Sequence, residues 1–154
     1  MTKDAIELLI TDHEKVKKLV KELTDTTTHA EKKRPKLLEE ILQEIKIHTY
    51  LEENIFYPAF IKTGNHNHER LCFEALEEHR VVSGLVLPDL KKTDPTSEKF
   101  SSRAKILKEL IDHHADEGEN NIFKKAKLAL SANELKTLGE QMQQRKQELQ
   151  SEKS

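Results

Sequence analysis

The sequence has no tryptophan and one cysteine, with four glycines, four prolines and an aromatic content of 5%. A lone thiol, Cys72, excludes an internal disulfide and any thiolate site that needs two sulfurs, so a reducing compartment, the cytoplasm, is the expected setting. Scarce glycine and proline argue against a sheet protein, which needs many turns. No apolar run approaches the roughly 20 residues that span a bilayer. Met1-Thr2-Lys3-Asp4-Ala5 leads directly into an amphipathic pattern rather than a signal-peptide core, so the chain is expected to be soluble and unprocessed. Charge of one sign is missing too: 26 Lys and Arg stand against 28 Asp and Glu, spread along the chain, for a net charge of −2. Without a basic block there is no footprint for nucleic acid, and neither nucleic acid nor membrane is an expected partner.

What is present is charge and helical period. Of the 154 residues, 35% are charged and 35% hydrophobic, which suits solvated amphipathic helices in a single domain, 1–154. A first helix is expected from about Asp4 to Thr24, with Ile6, Leu9, Ile10, His13, Val16, Val20 and Leu23 on one face. After the polar run Asp25 to Lys33, Pro35 suits the first turn of a second helix. Its apolar face reads Leu38, Ile41, Leu42, Ile45, His48, Glu52, Ile55, Phe56 and Ala59, and Gly64-Asn65 stops it. A third helix, Asn67 to Leu90, carries Leu71, Ala75, Leu76, His79, Val82 and Val86; Asp94-Pro95 turns the chain. The fourth starts near Thr96 and shows Ile106, Leu107, Leu110, Ile111, His114 and Ile122. Ser131 and Glu134 form a capping box for a short last helix, Leu135 to about Leu149. Short connections between long helices give an all-α, up-down-up-down four-helix bundle with an additional C-terminal helix packed outside.

His13, His48, His79 and His114 fall on the apolar faces of four different helices. A buried imidazole needs a hydrogen-bond partner or a metal, and a buried carboxylate needs a cation. At about 100° per residue, His79 and His114 lie within roughly 10° of their apolar axes, whereas His113 lies roughly 90° away. Glu52 falls almost on the axis of its helix, with His48 about 40° from it one turn back, so both reach one point in the core. Glu53 points roughly 100° away and is expected on the surface. On the fourth helix Glu117 lies about 50° from the axis and Glu119 about 150°, so Glu119 turns inward only if a π-bulge forms at Gly118. Asp12 and Glu78 adjoin two of the histidines and either orient them or face solvent.

These residues resemble the hemerythrin-like, HHE cation-binding family. The resemblance is carried by Asp12-His13, by His48-Thr49-Tyr50-Leu51-Glu52-Glu53 with Ile55-Phe56-Tyr57-Pro58, by Glu78-His79, and by His113-His114-Ala115-Asp116-Glu117-Gly118-Glu119 with Ile122-Phe123. It implies that His13, His48, Glu52, His79 and His114 are metal ligands, Glu52 as a bridging carboxylate. It adds either Glu119, five residues after His114, or Glu117, four after His113, with Glu119 preferred. The cofactor it implies is a pair of non-haem irons bridged by carboxylate and by oxo or hydroxo. Ser83 departs from the pattern, because oxygen-carrying members place a second third-helix histidine there. The implied partner is a small gaseous ligand, dioxygen or nitric oxide, held in a pocket dried by Ile10, Ile55 and Phe56. A di-iron redox enzyme of iron supply, peroxide removal or iron–sulfur repair is the alternative, followed by a metal-stabilised structural domain. Family repair proteins carry a cysteine-containing segment before the first helix and fused sensors an output domain; neither is expected here. A monomer or homodimer is expected.

The remaining candidates read as ordinary structure. Asn65-His66-Asn67-His68 and His29 fall in polar loops. Gln141 to Lys153 reads as a solvated helix face with a frayed end.

Overall fold

In the computed structural model, which describes residues 3–152, capping chemistry sets the helix starts. Helix α1, Ala5–Thr24, opens on a reciprocal box in which Asp4 accepts from the Glu7 amide and Glu7 from the Asp4 amide. Helix α2, residues 33–61, holds Pro35 in its first turn, and the chain leaves it through Gly64, whose φ of +87° is accessible to glycine at little cost. Asn65 caps α3, residues 66–92, and Ser97 caps α4, residues 98–129. Ser131 and Glu134 form the box that starts α5, Ala132–Ser151. Among the described residues there is no strand, and the chain is all-α as its sequence predicts. None of these helices is long and apolar enough to cross a membrane.

The packing order is cyclic: α1 contacts α2, α2 contacts α3, α3 contacts α4, and α4 returns to α1. Helix α5 lies outside this ring against α1 and α2. Its close approach depends on Gly139, where a Cβ would come within 2.7 Å of the Asp4 carbonyl carbon. At the far end of the bundle the buried Arg34 donates to Thr26 Oγ1 and O, Pro95 O and Ser101 Oγ, tying the α1–α2 connection to the α3–α4 connection.

The core is divided into two apolar clusters. One contains Leu9, Leu51, Phe56, Phe60, Ala75 and Phe123; the other contains Val16, Ile45, Val82, Leu107 and Ile111. His13 lies between Leu9 and Val16 along α1, and the other three bundle helices place a histidine at the same level, so a polar layer is enclosed by apolar ones. Three helices leave α geometry at that level, with π segments Glu52–Phe56, Val82–Val86 and Gly118–Ile122. Each is closed by an i→i+5 bond: Tyr57 N–H to Glu52 O, Leu87 to Val82 and Phe123 to Gly118. The expected widening at Gly118 is present. Nothing in the local sequence of α2 or α3 flags the inserted residue of the other two.

Candidate metal centre

Each imidazole of the layer is held at its outer edge by a carboxylate from the neighbouring helix. Asp12 takes Nδ1 of His48 at 3.1 Å, Glu53 that of His79 at 2.8 Å, Glu78 that of His114 at 2.8 Å, and Glu119 that of His13 at 2.8 Å. An ionised carboxylate only accepts, so Nδ1 carries the proton and Nε2 is the nitrogen left for a cation. The four bonds form a closed circuit, α1 to α2 to α3 to α4 to α1. The physical reason is helix geometry. On α1 and α3 the carboxylate precedes its helix's own histidine by one residue, a turn of about 100°; on α2 and α4 it follows by five, about 140° in a regular helix. Antiparallel neighbours reverse the sense of rotation, so both steps aim at the same side, and the π turns close part of the difference.

At the inner edge the Nε2 atoms converge on Glu52. Its Oε1 lies 3.0 Å from Nε2 of His79, 3.2 Å from that of His48 and 3.6 Å from that of His114. Nε2 of His79 and of His114 are 3.2 Å apart. Ligand atoms of His13, His48, Glu52 and His114 all lie within 4.8 Å of one another. Nε2 of His13, Nε2 of His48 and Oε1 of Glu52 are buried and outside hydrogen-bond geometry; the His48 and Glu52 atoms face each other at ion-pair distance, and His13 Nε2 has no such partner among the described residues. Buried polar atoms without a well-formed hydrogen bond are costly, and a cation at the point they share would satisfy all three. Imidazole nitrogen with carboxylate oxygen is a donor set suited to first-row transition metals, so the residues fit the group.

The electrostatics show how the site balances charge with protons alone. Burial drives the His13 pKa down to about 3, helped by the charge on His48. Burial also disfavours charge on His48, but Glu52 and the bond to Asp12 outweigh it and raise that pKa to about 10. His114 is likewise raised, to about 9, by Glu52 and Glu78 against its burial. Glu52 is held well below the usual carboxylate range, because the charge on His48 and the surrounding imidazoles overcome burial. With no metal bound, protons on His48 and His114 would supply the positive charge that balances Glu52.

The structure brings together His13, His48, Glu52, His79 and His114, and leaves His113 exposed. It departs from the expectation for the last carboxylate. Glu119 does turn within the π segment, yet it stops at the α4–α1 seam on the outer nitrogen of His13 instead of joining the inward atoms. Glu117 is exposed. Glu53 corrects the sequence reading in another way: it is 39% exposed, as a surface residue should be, but its inner oxygen anchors His79. Asp12 is 3% exposed, and its second oxygen accepts from Lys146 of α5 at 2.6 Å. The acids at −1 or +5 from each histidine are visible in the sequence, but each holds the imidazole of the next helix rather than that of its own, a pairing no local pattern states. Lys146 had no signal, since it reaches the site from 134 residues away.

A small void of about 30 Å³ is lined by His13, His48, His79 and His114 together with Val16, Ile45, Val82, Ile111 and Ala115, and by Thr49 and Glu78. Since one water needs roughly 10–15 Å³ by the same measure, this admits a diatomic molecule and little more. Its apolar wall differs from the expected one. Phe56 belongs to the opposite cluster, and Ile10 and Ile55 are only half-buried there. Val82 occupies the inward π position of α3, next to the exposed Ser83.

A four-helix bundle with an interior ring of histidines around a carboxylate defines a class, the metal-binding helical bundles. Residues 4–126 match the family model of the hemerythrin HHE cation binding domain, and the chain belongs to that family. It is similar to a hemerythrin HHE cation binding domain-containing protein from Mycobacterium kansasii, whose crystal structure superimposes with a TM-score of 0.84 at 26% identity. The match covers 97% of this chain and 89% of that one. No curated protein matches the sequence.

Proposed function

We propose that this protein binds a pair of iron ions through His13, His48, Glu52, His79 and His114, with Glu52 shared between them, and uses the site to bind or sense dioxygen or nitric oxide. The observation that carries the metal reading is the convergence of ligand atoms from His13, His48, Glu52 and His114 within 4.8 Å of one another, three of them buried and outside hydrogen-bond geometry. The observation that carries the gas reading is the small void of about 30 Å³ lined by the same histidines and by Val16, Ile45, Val82 and Ile111. Bound iron supplies open coordination positions and one-electron chemistry. The chain supplies the rest: Asp12, Glu53, Glu78 and Glu119 fix the imidazole rings, and Val16, Ile45, Val82 and Ile111 give the space next to them apolar walls that disfavour water. The fit of family and donor set supports iron.

One feature favours the alternative of a redox enzyme. The Tyr57 ring is 3% exposed and stacks on His79 at 5.9 Å with an interplanar angle of 19°, which places an oxidisable phenol beside the cluster. The two readings separate in one experiment. The reduced, iron-loaded protein is exposed to air and then to nitric oxide while its absorption spectrum is followed, and peroxide consumption is measured in parallel. A charge-transfer band that reverses on removing the gas supports binding. Sustained peroxide turnover with no reversible band overturns it in favour of the enzyme, and elemental analysis showing no bound metal removes both.

A further inference from the structure

We propose that Lys146 of α5 is a positioning residue for the metal centre, fixing the Asp12 carboxylate that orients His48. The proposal rests on the reading above that the histidine cluster holds iron. Lys146 Nζ donates to Asp12 Oδ1 at 2.6 Å, and Asp12 Oδ2 accepts from His48 Nδ1 at 3.1 Å. Each oxygen of this carboxylate therefore has its own partner, and rotation of the group breaks one bond or the other.

Asp12 differs from the other three outer carboxylates in its surroundings. Glu53, Glu78 and Glu119 are 39%, 32% and 29% exposed, so their second oxygens are open to solvent, that of Glu78 also lying 3.4 Å from Nε2 of His113, whereas Asp12 is 3% exposed. A carboxylate that buried needs a cation or several donors to remain in place. Lys146, itself 17% exposed, is the cation that reaches it. Without that ammonium, hydration becomes available to Asp12 only by swinging outward, which removes the acceptor from His48 Nδ1.

Lys146 comes from an element that the four-helix architecture does not require. It lies beyond residues 4–126, the part matched by the family model, on a helix that packs against α1 and α2. Those are the two helices that supply Asp12 and His48. Helix α5 is thus connected to the His48 imidazole through Lys146, and among the described residues no side chain of α5 hydrogen-bonds Glu53, Glu78 or Glu119.

The test uses three variants of the full chain. Lys146→Met keeps the aliphatic stem and removes the ammonium; Lys146→Arg keeps a cation; Met142→Ala weakens the apolar docking of the same helix, since Met142 is fully buried, without touching Asp12. In the metal-free protein, imidazole nitrogen NMR should show His48 shifted by Lys146→Met while His114 stays put, and both unmoved by Met142→Ala. In the iron-loaded protein, release of iron to excess chelator should be roughly tenfold faster in Lys146→Met, the lower end of the range for residues that orient a ligand. Lys146→Arg and Met142→Ala should release iron at the wild-type rate. Unchanged His48 resonances in Lys146→Met, or equal acceleration by Met142→Ala, overturns the proposal and leaves the metal reading intact. A wild-type chain that takes up no iron overturns the metal reading, and this role with it.

Discussion

The metal-free protein should lose stability steeply as pH rises from 7 to 9, and metal should abolish that slope. His48 and His114 have folded-state pKa values of about 10 and about 9: burial opposes their charge, but Glu52 and the outer acids outweigh it and raise them above the ordinary histidine value of 6.5. A raised pKa stabilises fully below the unfolded value and loses that contribution as pH climbs through the folded value. Between pH 7 and 9 the folded chain holds two protons that the unfolded chain has released. Each is worth about 1.4 kcal/mol per pH unit, so the slope approaches about 2.7 kcal/mol per unit, or roughly 4 kcal/mol from pH 7 to 8.5. Both rings are shielded, with side chains 7% and 13% exposed, so solvent screening removes little of this. On the acid side the sign reverses: His13, held neutral down to about pH 3, opposes folding as the unfolded chain protonates below 6.5. The optimum for the metal-free chain therefore lies near pH 6.5–7. Urea denaturation followed by circular dichroism at pH 6.5, 7.5 and 8.5, after exhaustive chelation, reads the slope. In the metal-bound protein the ion displaces both protons, and the curve should be flat over the same window. A metal-free chain whose stability is constant or rises from pH 7 to 8.5 refutes the protonated cluster.

Binding of a divalent metal at pH 7.5 should release about two protons, seen in calorimetric titrations run in buffers of different ionisation enthalpy; release near zero would mean that His48 and His114 are already neutral. His79→Leu should lose bound iron and keep most of its helical signal, because the position is buried and leucine carries no polar burial cost; full retention of metal would take His79 out of the ligand set. Glu119→Leu should weaken iron binding roughly tenfold through loosened His13, and Glu117→Gln should leave it unchanged; elemental analysis showing loss only in the Glu117 variant reverses that assignment. Val82→Leu should cost about 1–3 kcal/mol from overpacking and block gas binding while iron stays bound; an unaltered gas-induced spectrum would place the ligand elsewhere.

Much of this protein is written locally. Period and caps specify the helices: Asp4 with Glu7 and Ser131 with Glu134 act within one turn, so their boxes are legible without a partner. The inward direction of His79, His114 and Glu52 follows from rotation about a single axis. Where the reading depended on two helices at once, the sequence was silent. Glu53 and Glu119 stand well off their apolar axes, and their roles exist only because the next helix presents an Nδ1 at the seam. Lys146 acquires its role only because Gly139 lets α5 settle against α1, placing an ammonium on a buried Asp12. Helical period is a property of one strand of chain, whereas an outer hydrogen bond requires a donor and an acceptor that chain distance does not relate. Sequence alone determined the bundle and the inward histidines; the tertiary structure decided which carboxylate holds each imidazole, because that choice is made across the seams.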